Sequence, residues 1–188
     1  MRKLIYSMAS SLDGYIAGPG DSIDWTVPDE ELFRFHTDHI KDTGVHLCGR
    51  RLYETMLYWE TVEQSALTPD EVEFAELWNA LPKVVFSTTL ESVVGNTRLL
   101  RGGVGEEVER LKEEPGKDIA VGGAGLAGAC MELGLIDEWW MFLNPVLIGT
   151  GTPYFPPLVD RCELELLETR TFGSRVVHLR YGRAGRAG

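Results

Sequence analysis

No stretch of this 188-residue chain comes near 18 consecutive uncharged apolar residues, so a helical membrane span is excluded. Cysteine is scarce. Cys48, Cys130 and Cys162 are odd in number, far apart and set in apolar or strand-like surroundings, which suits reduced thiols and indicates neither a disulfide frame nor a zinc cluster. Positive charge is in the minority, 18 Lys and Arg against 29 Asp and Glu for a net −11, which argues against nucleic acid as a partner. The exception is the stretch 170–188, with five arginines and no acid. No signal-peptide layout precedes Leu4, since Met1-Arg2-Lys3 runs straight into an apolar segment, and a cytoplasmic protein is expected. Internal repeats, low-complexity linkers and composition breaks are also missing. What is there, 44% hydrophobic and 25% charged residues, suffices for a full core and excludes the disordered and collagen-like classes. One domain over residues 1–182 is expected, with 183–188 as a flexible tail.

Strand and helix patterns alternate along the chain. Lys3 to Ala9 reads as a buried strand, followed by a long loop to Trp25. Thr26, with Asp29 three residues on and Pro28 in the first turn, predicts a helix that stops at Gly44. Further strands are predicted at 45–48, 83–87, 118–121, 136–148, 162–171 and 175–181. Helices are predicted after Gly49, from Thr68 to Pro82, along Val104–Leu111 and after Gly125, and the last two strands should form a hairpin turning at Phe172-Gly173-Ser174. This order requires an open, mostly parallel α/β sheet covered on both faces, with an antiparallel C-terminal edge. Ligands of such sheets bind beyond the carboxyl ends of the strands, so the loops 10–25, 49–51, 87–89 and 122–125 should share one cleft.

Two turns carry the chemistry. Val121-Gly122-Gly123-Ala124-Gly125-Leu126 joins a strand to a helix, where missing Cβ atoms admit a ligand to backbone N–H groups, an anion seat. Gly128 inside that helix carries a propensity penalty of about 1 kcal/mol that packing alone explains poorly. Arg50 and Arg51, after Gly49, oppose the dipole at another helix start, a conflict that an external anion would resolve; Ser87 and Thr88 at the next strand end are placed to donate hydroxyl hydrogen bonds to it. Two anion seats in one cleft fit a dinucleotide with an additional phosphate, of which NADP is the economical candidate.

These residues resemble the dihydrofolate reductase-like superfamily over nearly the whole chain, in particular the group containing the reductase domain of bifunctional riboflavin-biosynthesis proteins. The likeness rests on Ser11-Leu12-Asp13-Gly14, on Gly20-Asp21-Ser22-Ile23-Asp24-Trp25 and on Asn144 to Pro153; Trp25 to Pro28, Gly49 to Arg51 and Val121 to Gly123 follow the dihydrofolate reductase pattern. The resemblance implies a three-layer dihydrofolate reductase-like fold and NADPH binding. It implies that Ala9 meets the cofactor by its backbone, that Gly18 through Trp25 lie over the nicotinamide, that Arg50, Arg51, Ser87 and Thr88 surround the 2′-phosphate, and that Gly123 to Leu126 meet the pyrophosphate. It also implies that Gly122-Gly123 is joined by a cis peptide and that Ser22 lies on the substrate side. The riboflavin enzymes place a glutamate directly before the paired glycines, where this chain has Val121, and their D-D-P-x-L segment is missing here. The expected enzyme is therefore an NADPH-dependent reductase of a small pterin- or pyrimidine-like substrate, similar to 5-amino-6-(5-phosphoribosylamino)uracil reductase or dihydrofolate reductase.

Hydride delivery needs a proton as well, and Glu30 and Asp29 are candidate acids, with Asp13 and Asp24 as further substrate contacts. Trp139 and Trp140 must point to opposite faces of their strand, one toward the core and the other toward an edge or partner chain, which suggests a homodimer. His36 and His39 have spacing suited to a metal but no third ligand, and read as half-exposed surface residues. The rival readings are a non-catalytic NADP(H)-binding module on the same fold, and a plain scaffold whose Trp139-Trp140 face interacts with another protein.

Overall fold

The apolar run at the N-terminus sits where such a run has to sit, in the middle of a sheet. The computed structural model describes residues 1–157 and 161–185. Its strands are β1 (Leu4–Ser11), β2 (Tyr15–Ala17), β3 (Thr43–Gly49), β4 (Lys83–Phe86), β5 (Thr97–Leu100), β6 (Asp118–Gly122), β7 (Glu138–Asn144), β8 (Thr152–Pro153), β9 (Leu164–Thr171) and β10 (Val177–Arg183). The helices are α1 (Glu30–Asp42), α2 (Arg50–Met56), α3 (Tyr58–Thr61), α4 (Pro69–Ala80), α5 (Val104–Glu113) and α6 (Ala124–Glu132). Eight strands form one sheet in the order β5-β4-β3-β6-β1-β7-β10-β9, parallel from β5 through β7, with β10 and β9 antiparallel at the edge. β2 and β8 make a small separate pair.

Side-chain alternation divides the two faces of this sheet. Val45, Leu47, Ile119 and Val121 share a core with Val108 and Leu111 of α5 and Leu126, Ala127 and Cys130 of α6. On the other face α1 and α4 pack together, through Phe33, Ile40, Phe74 and Trp78. The result is helix, sheet, helix: three layers, with the carboxyl ends of β1, β3 and β6 side by side.

Several boundaries differ from the sequence reading. α1 starts at Glu30, capped by Asp29, whose Oδ1 accepts from Leu32 N at 2.9 Å. Thr26 closes a single 3-10 turn instead, its hydroxyl donating to Ile23 O at 2.7 Å, and Val27 is extended as a residue before proline prefers. Pro28 therefore stands outside the helix, and the helix ends at Asp42, before Gly44. β7 stops at Asn144 because Pro145 has no N–H to continue the ladder. The short strands β2, β5 and β8 were not legible as such; β8 approaches β2 so closely that a Cβ on Gly151 would stand 2.0 Å from Ala17 O.

Gly122-Gly123 is trans, as is every peptide bond among the described residues. Gly182 and Arg183 belong to β10, paired with Glu165 and Leu164, so the ordered domain runs past the expected tail boundary; residues 186–188 of that tail lie outside the described residues. Trp139 is core, as its alternation requires, while Trp140 is covered within the chain by Phe35 and His39, with the Arg180 guanidinium over its ring. No partner chain is needed to shelter it. Cys48 and Cys130 are buried and Cys162 half-buried, all as free thiols.

Candidate functional site

Two cavities of similar size adjoin at the carboxyl ends of β1, β3 and β6. The first, about 570 Å³, is walled by Gly49, Arg50, Arg51 and Thr89 on one side, by Gly123 to Leu126 on another, and by Ile16, Ala17, Asp21 and Ile23 from the first loop. Loops remote in sequence therefore do face one cleft. The second, about 600 Å³, lies over the opposite end of the same wall: Met8, Ile23, Leu52 and Thr55 line both.

The first cavity brings two arginines and an uncapped helix start together. α6 begins at Ala124, with Gly123 before it at φ +87°, a conformation that only glycine adopts cheaply, and the N–H groups of the first turn face outward unpaired by any side-chain cap. A Cβ on Gly125 or Gly49 would enter open space. Gly122 is different: a Cβ there would stand 2.3 Å from Leu52 Cδ2, so this glycine permits the packing of α2 on β6 rather than ligand approach. Gly128 is likewise a packing residue, because Pro156 Cγ lies 2.8 Å from where its Cβ would be. Of the arginines, Arg50 donates to Thr89 Oγ1 at 3.2 Å and approaches Glu54 Oε1 at 3.3 Å, and Arg51 donates to Asp21 Oδ1 at 3.2 Å. Both remain largely exposed, and these acids relieve part of the conflict with the dipole of α2.

Ser87 and Thr88 do not join them. Ser87 Oγ accepts from Thr89 N and Leu90 N, capping its own turn, and Thr88 is exposed outside the cavity wall; Thr89 takes the place next to Arg50. Gly18 and Trp25 line neither cavity: Gly18 closes its loop by donating to Ser22 O at 2.8 Å, and Trp25 is half-buried, its buried Nε1 without a hydrogen-bond partner among the described residues.

The second cavity is apolar and aromatic. α1 contributes Phe33, His36, His39 and Ile40, α2 and α3 contribute Leu52, Thr55, Met56 and Trp59, α4 contributes Phe74 and Trp78, and the sheet supplies Ser7, Met8, Ala9, His46, Ala120 and Phe142 as floor. Ala9 thus lies in this cavity. Burial holds His36 and His39 at about 4 and His46 at about 3, so all three imidazoles are neutral at pH 7. The sequence reading missed this wall, taking His36 and His39 as surface residues. The signal was His46, flanked by Val45 and Leu47 in a strand and therefore facing the opposite layer.

The expected acids are mostly elsewhere. Glu30 and Asp29 line neither cavity but a separate depression with Arg34 and Arg170, where Asp29 is held by its cap bond to Leu32 N. Asp13 is a clamp. It accepts from Ser11 Oγ at 2.6 Å, Ile148 N at 3.1 Å and Gly149 N at 2.7 Å, bonds that lower its pKa and tie the 145–151 loop to the end of β1. Asp24 alone of the four lines the second cavity, at its mouth, where its Oδ1 accepts from Ser22 Oγ at 2.7 Å. Val121, at the position of the riboflavin enzymes' glutamate, is fully buried on the other face of β6.

Among the described residues there is no group of three or more His, Cys, Asp or Glu arranged to hold a metal, and no helix long and apolar enough to cross a membrane. A family model described as RibD C-terminal domain matches residues 2–178. The Bacillus subtilis (strain 168) protein YyaP, itself uncharacterized, is 33% identical over 96% of this chain and 94% of its own length. A crystal structure from Shewanella sp. PV-4 assigned to riboflavin biosynthesis superposes with a TM-score of 0.76 at 20% identity, over 97% of this chain and 99% of that one. The Thermotoga maritima diaminohydroxyphosphoribosylaminopyrimidine deaminase/5-amino-6-(5-phosphoribosylamino)uracil reductase has a TM-score of 0.65 at 14% identity, covering 97% of this chain and 57% of that one. Dihydrofolate reductase from Enterococcus faecalis in complex with NADP(H) has a TM-score of 0.63 at 14% identity, over 97% and 96% of the two chains. The fold is dihydrofolate reductase-like.

Proposed function

The chain belongs to the RibD C-terminal domain family, a reductase-type family, and on that footing we propose that it is an NADPH-dependent reductase of a small heterocyclic substrate. The observation that carries the reading is the pairing of a cavity lined by two arginines and a helix start with an aromatic one across a shared wall of Met8, Ile23, Leu52 and Thr55.

The residues suit the cofactor. Gly123, Ala124, Gly125 and Leu126 at the start of α6 would hold the pyrophosphate through backbone N–H groups, in a space that Gly125 leaves open. Arg50 and Arg51, with Thr89, would hold the 2′-phosphate; a guanidinium forms paired charge-assisted hydrogen bonds there and gives preference over NADH. When bound, NADPH supplies a hydride. The chain's part is to seat the acceptor ring among Phe33, Trp59 and Phe142, to exclude water with those rings, and to provide a proton. Asp24, held by Ser22, is the side-chain acid at the cavity mouth, with water entering there as the other source. Homodimer formation, expected in the sequence from Trp139 and Trp140, loses that support because Trp140 is covered within the chain, and sedimentation velocity decides it, a monomer removing it.

The test is a titration of purified protein with NADPH and NADH, followed by tryptophan fluorescence. NADPH should bind at least tenfold more tightly, and Arg50→Ala with Arg51→Ala should weaken NADPH by tenfold or more while leaving NADH nearly unchanged. Equal affinity for the two, or an unaltered double variant, rejects the assigned role of the arginines. Binding of NADPH without turnover of any heterocyclic acceptor would favour the non-catalytic module.

A further inference from the structure

The second cavity carries information about its occupant that the family membership does not. Among the described residues no lysine or arginine lines it, and the single charged side chain that does is Asp24, at the mouth. Cations on the packed elements are committed elsewhere, Arg180 among them, which pairs with Glu138 at 2.7 Å. Lys83 Nζ is buried behind Trp78, donating to Trp78 O at 2.8 Å and Leu81 O at 3.2 Å and pairing with Glu60 at 3.3 Å, while Arg50 and Arg51 open onto the first cavity. A phosphate in the second cavity would meet aromatic rings and a carboxylate, with no donor of opposite charge.

The polar groups that are present are neutral. His36, His39 and His46 stand in the wall, and a neutral imidazole offers one donor and one acceptor. Nδ1 of His46 and Nε2 of His39 are buried without a hydrogen-bond partner among the described residues, the condition in which a polar group demands a partner from whatever enters. Burial keeps these imidazoles uncharged across the physiological range, so they cannot substitute for the missing cations. The volume, about 600 Å³, fits a compact ligand of one or two rings.

We propose that this cavity selects a planar, uncharged, unphosphorylated heterocycle, stacked among Phe33, Trp59 and Phe142 and hydrogen-bonded along one edge by the imidazole wall, with His46 as a specificity-determining residue. The inference rests on the reductase reading above and narrows it, because it excludes the phosphoribosylated uracil in the name of the Thermotoga maritima relative. Selection works by desolvation: a ring edge that pairs with imidazole recovers its lost water, and a phosphate recovers none.

The experiment uses a matched pair of probes, 5,6-diaminouracil and 5-amino-6-(5-phosphoribosylamino)uracil, titrated by equilibrium dialysis into the full chain with and without saturating NADPH. NADPH binding is measured separately on the same preparation. The free base should bind at least tenfold more tightly than its phosphoribosyl derivative. Asp24→Asn should narrow that gap by strengthening the phosphorylated probe several-fold more than the base. His46→Phe should weaken the base tenfold or more with little change in NADPH affinity, and His46→Asn should recover part of the loss. Equal or tighter binding of the phosphorylated probe overturns the proposal, as does failure of the base to bind a protein that binds NADPH. Loss of NADPH binding itself would reject the reductase reading instead, and base binding would then still report on the cavity.

Discussion

Gly128 shows how a single residue can be misread from sequence. Its position inside a helix looked unexplained by packing, and the neighbouring glycines suggested a ligand; the partner that explains it, Pro156, lies 28 positions away and approaches only once the chain is folded. Gly128→Ala should therefore destabilise by about 1–3 kcal/mol through overpacking, even though alanine is favoured over glycine by about 1 kcal/mol in a free helix. Chemical denaturation of the two proteins checks the sign; a more stable alanine variant would show that the contact with Pro156 yields easily. Asp13 and Glu30 teach the same lesson from the other side. Residue type alone marks both as candidate acids, and only geometry shows that one clamps a loop and the other faces outward.

At the scale of elements, long periodic segments were legible and short ones were not. β1, β3, β6 and the capped helix α4 follow from continuous apolar runs and from the Thr68/Glu71 capping box, all of them local signals. β2, β5 and β8 hold two to four residues and exist because a neighbour offers a ladder, which no local pattern announces. The start of α1 was placed three residues early because Thr26 and Asp29 are both good caps and only one satisfies the backbone. Asp29→Ala should cost about 1 kcal/mol and Thr26→Ala only a few tenths, measured by thermal melts; the reverse order would restore Thr26 as the cap. Of the site, the two glycine- or arginine-marked turns were legible, whereas the histidine wall needed the pairing of α1 with the sheet.

Taken as a whole, the molecule keeps four histidines neutral, His178 buried and His36, His39 and His46 half-buried, and this sets its response to acid. Burial depresses His36, His39 and His178 from 6.5 to about 4 and His46 to about 3. For His39, Asp42 and Asp118 oppose the shift only in part, while Arg180 adds to it. As pH falls below 6.5 the unfolded chain binds protons that the folded chain does not, so stability declines from about pH 6.5 down to pH 4 and further to about 3 for His46, at about 1.4 kcal/mol for each unit of depression. Glu138 acts in a lower window. Desolvation raises its carboxyl, but hydrogen bonds from Arg180, Lys3 and Trp140 outweigh that and hold it at about 2, so its contribution is present above 4.5 and lost as pH falls through 2. Melting temperature should thus drop steadily from pH 7 to pH 4; a flat profile between pH 7 and pH 5 would mean that the imidazoles are protonated in the folded state.

The four residues common to both cavities, Met8, Ile23, Leu52 and Thr55, leave little protein between the two occupants. A cofactor and a heterocycle bound as proposed would each form part of the surface against which the other rests. Thermodynamic reciprocity then makes each dissociation constant a function of the other guest's concentration, by the same factor in both directions.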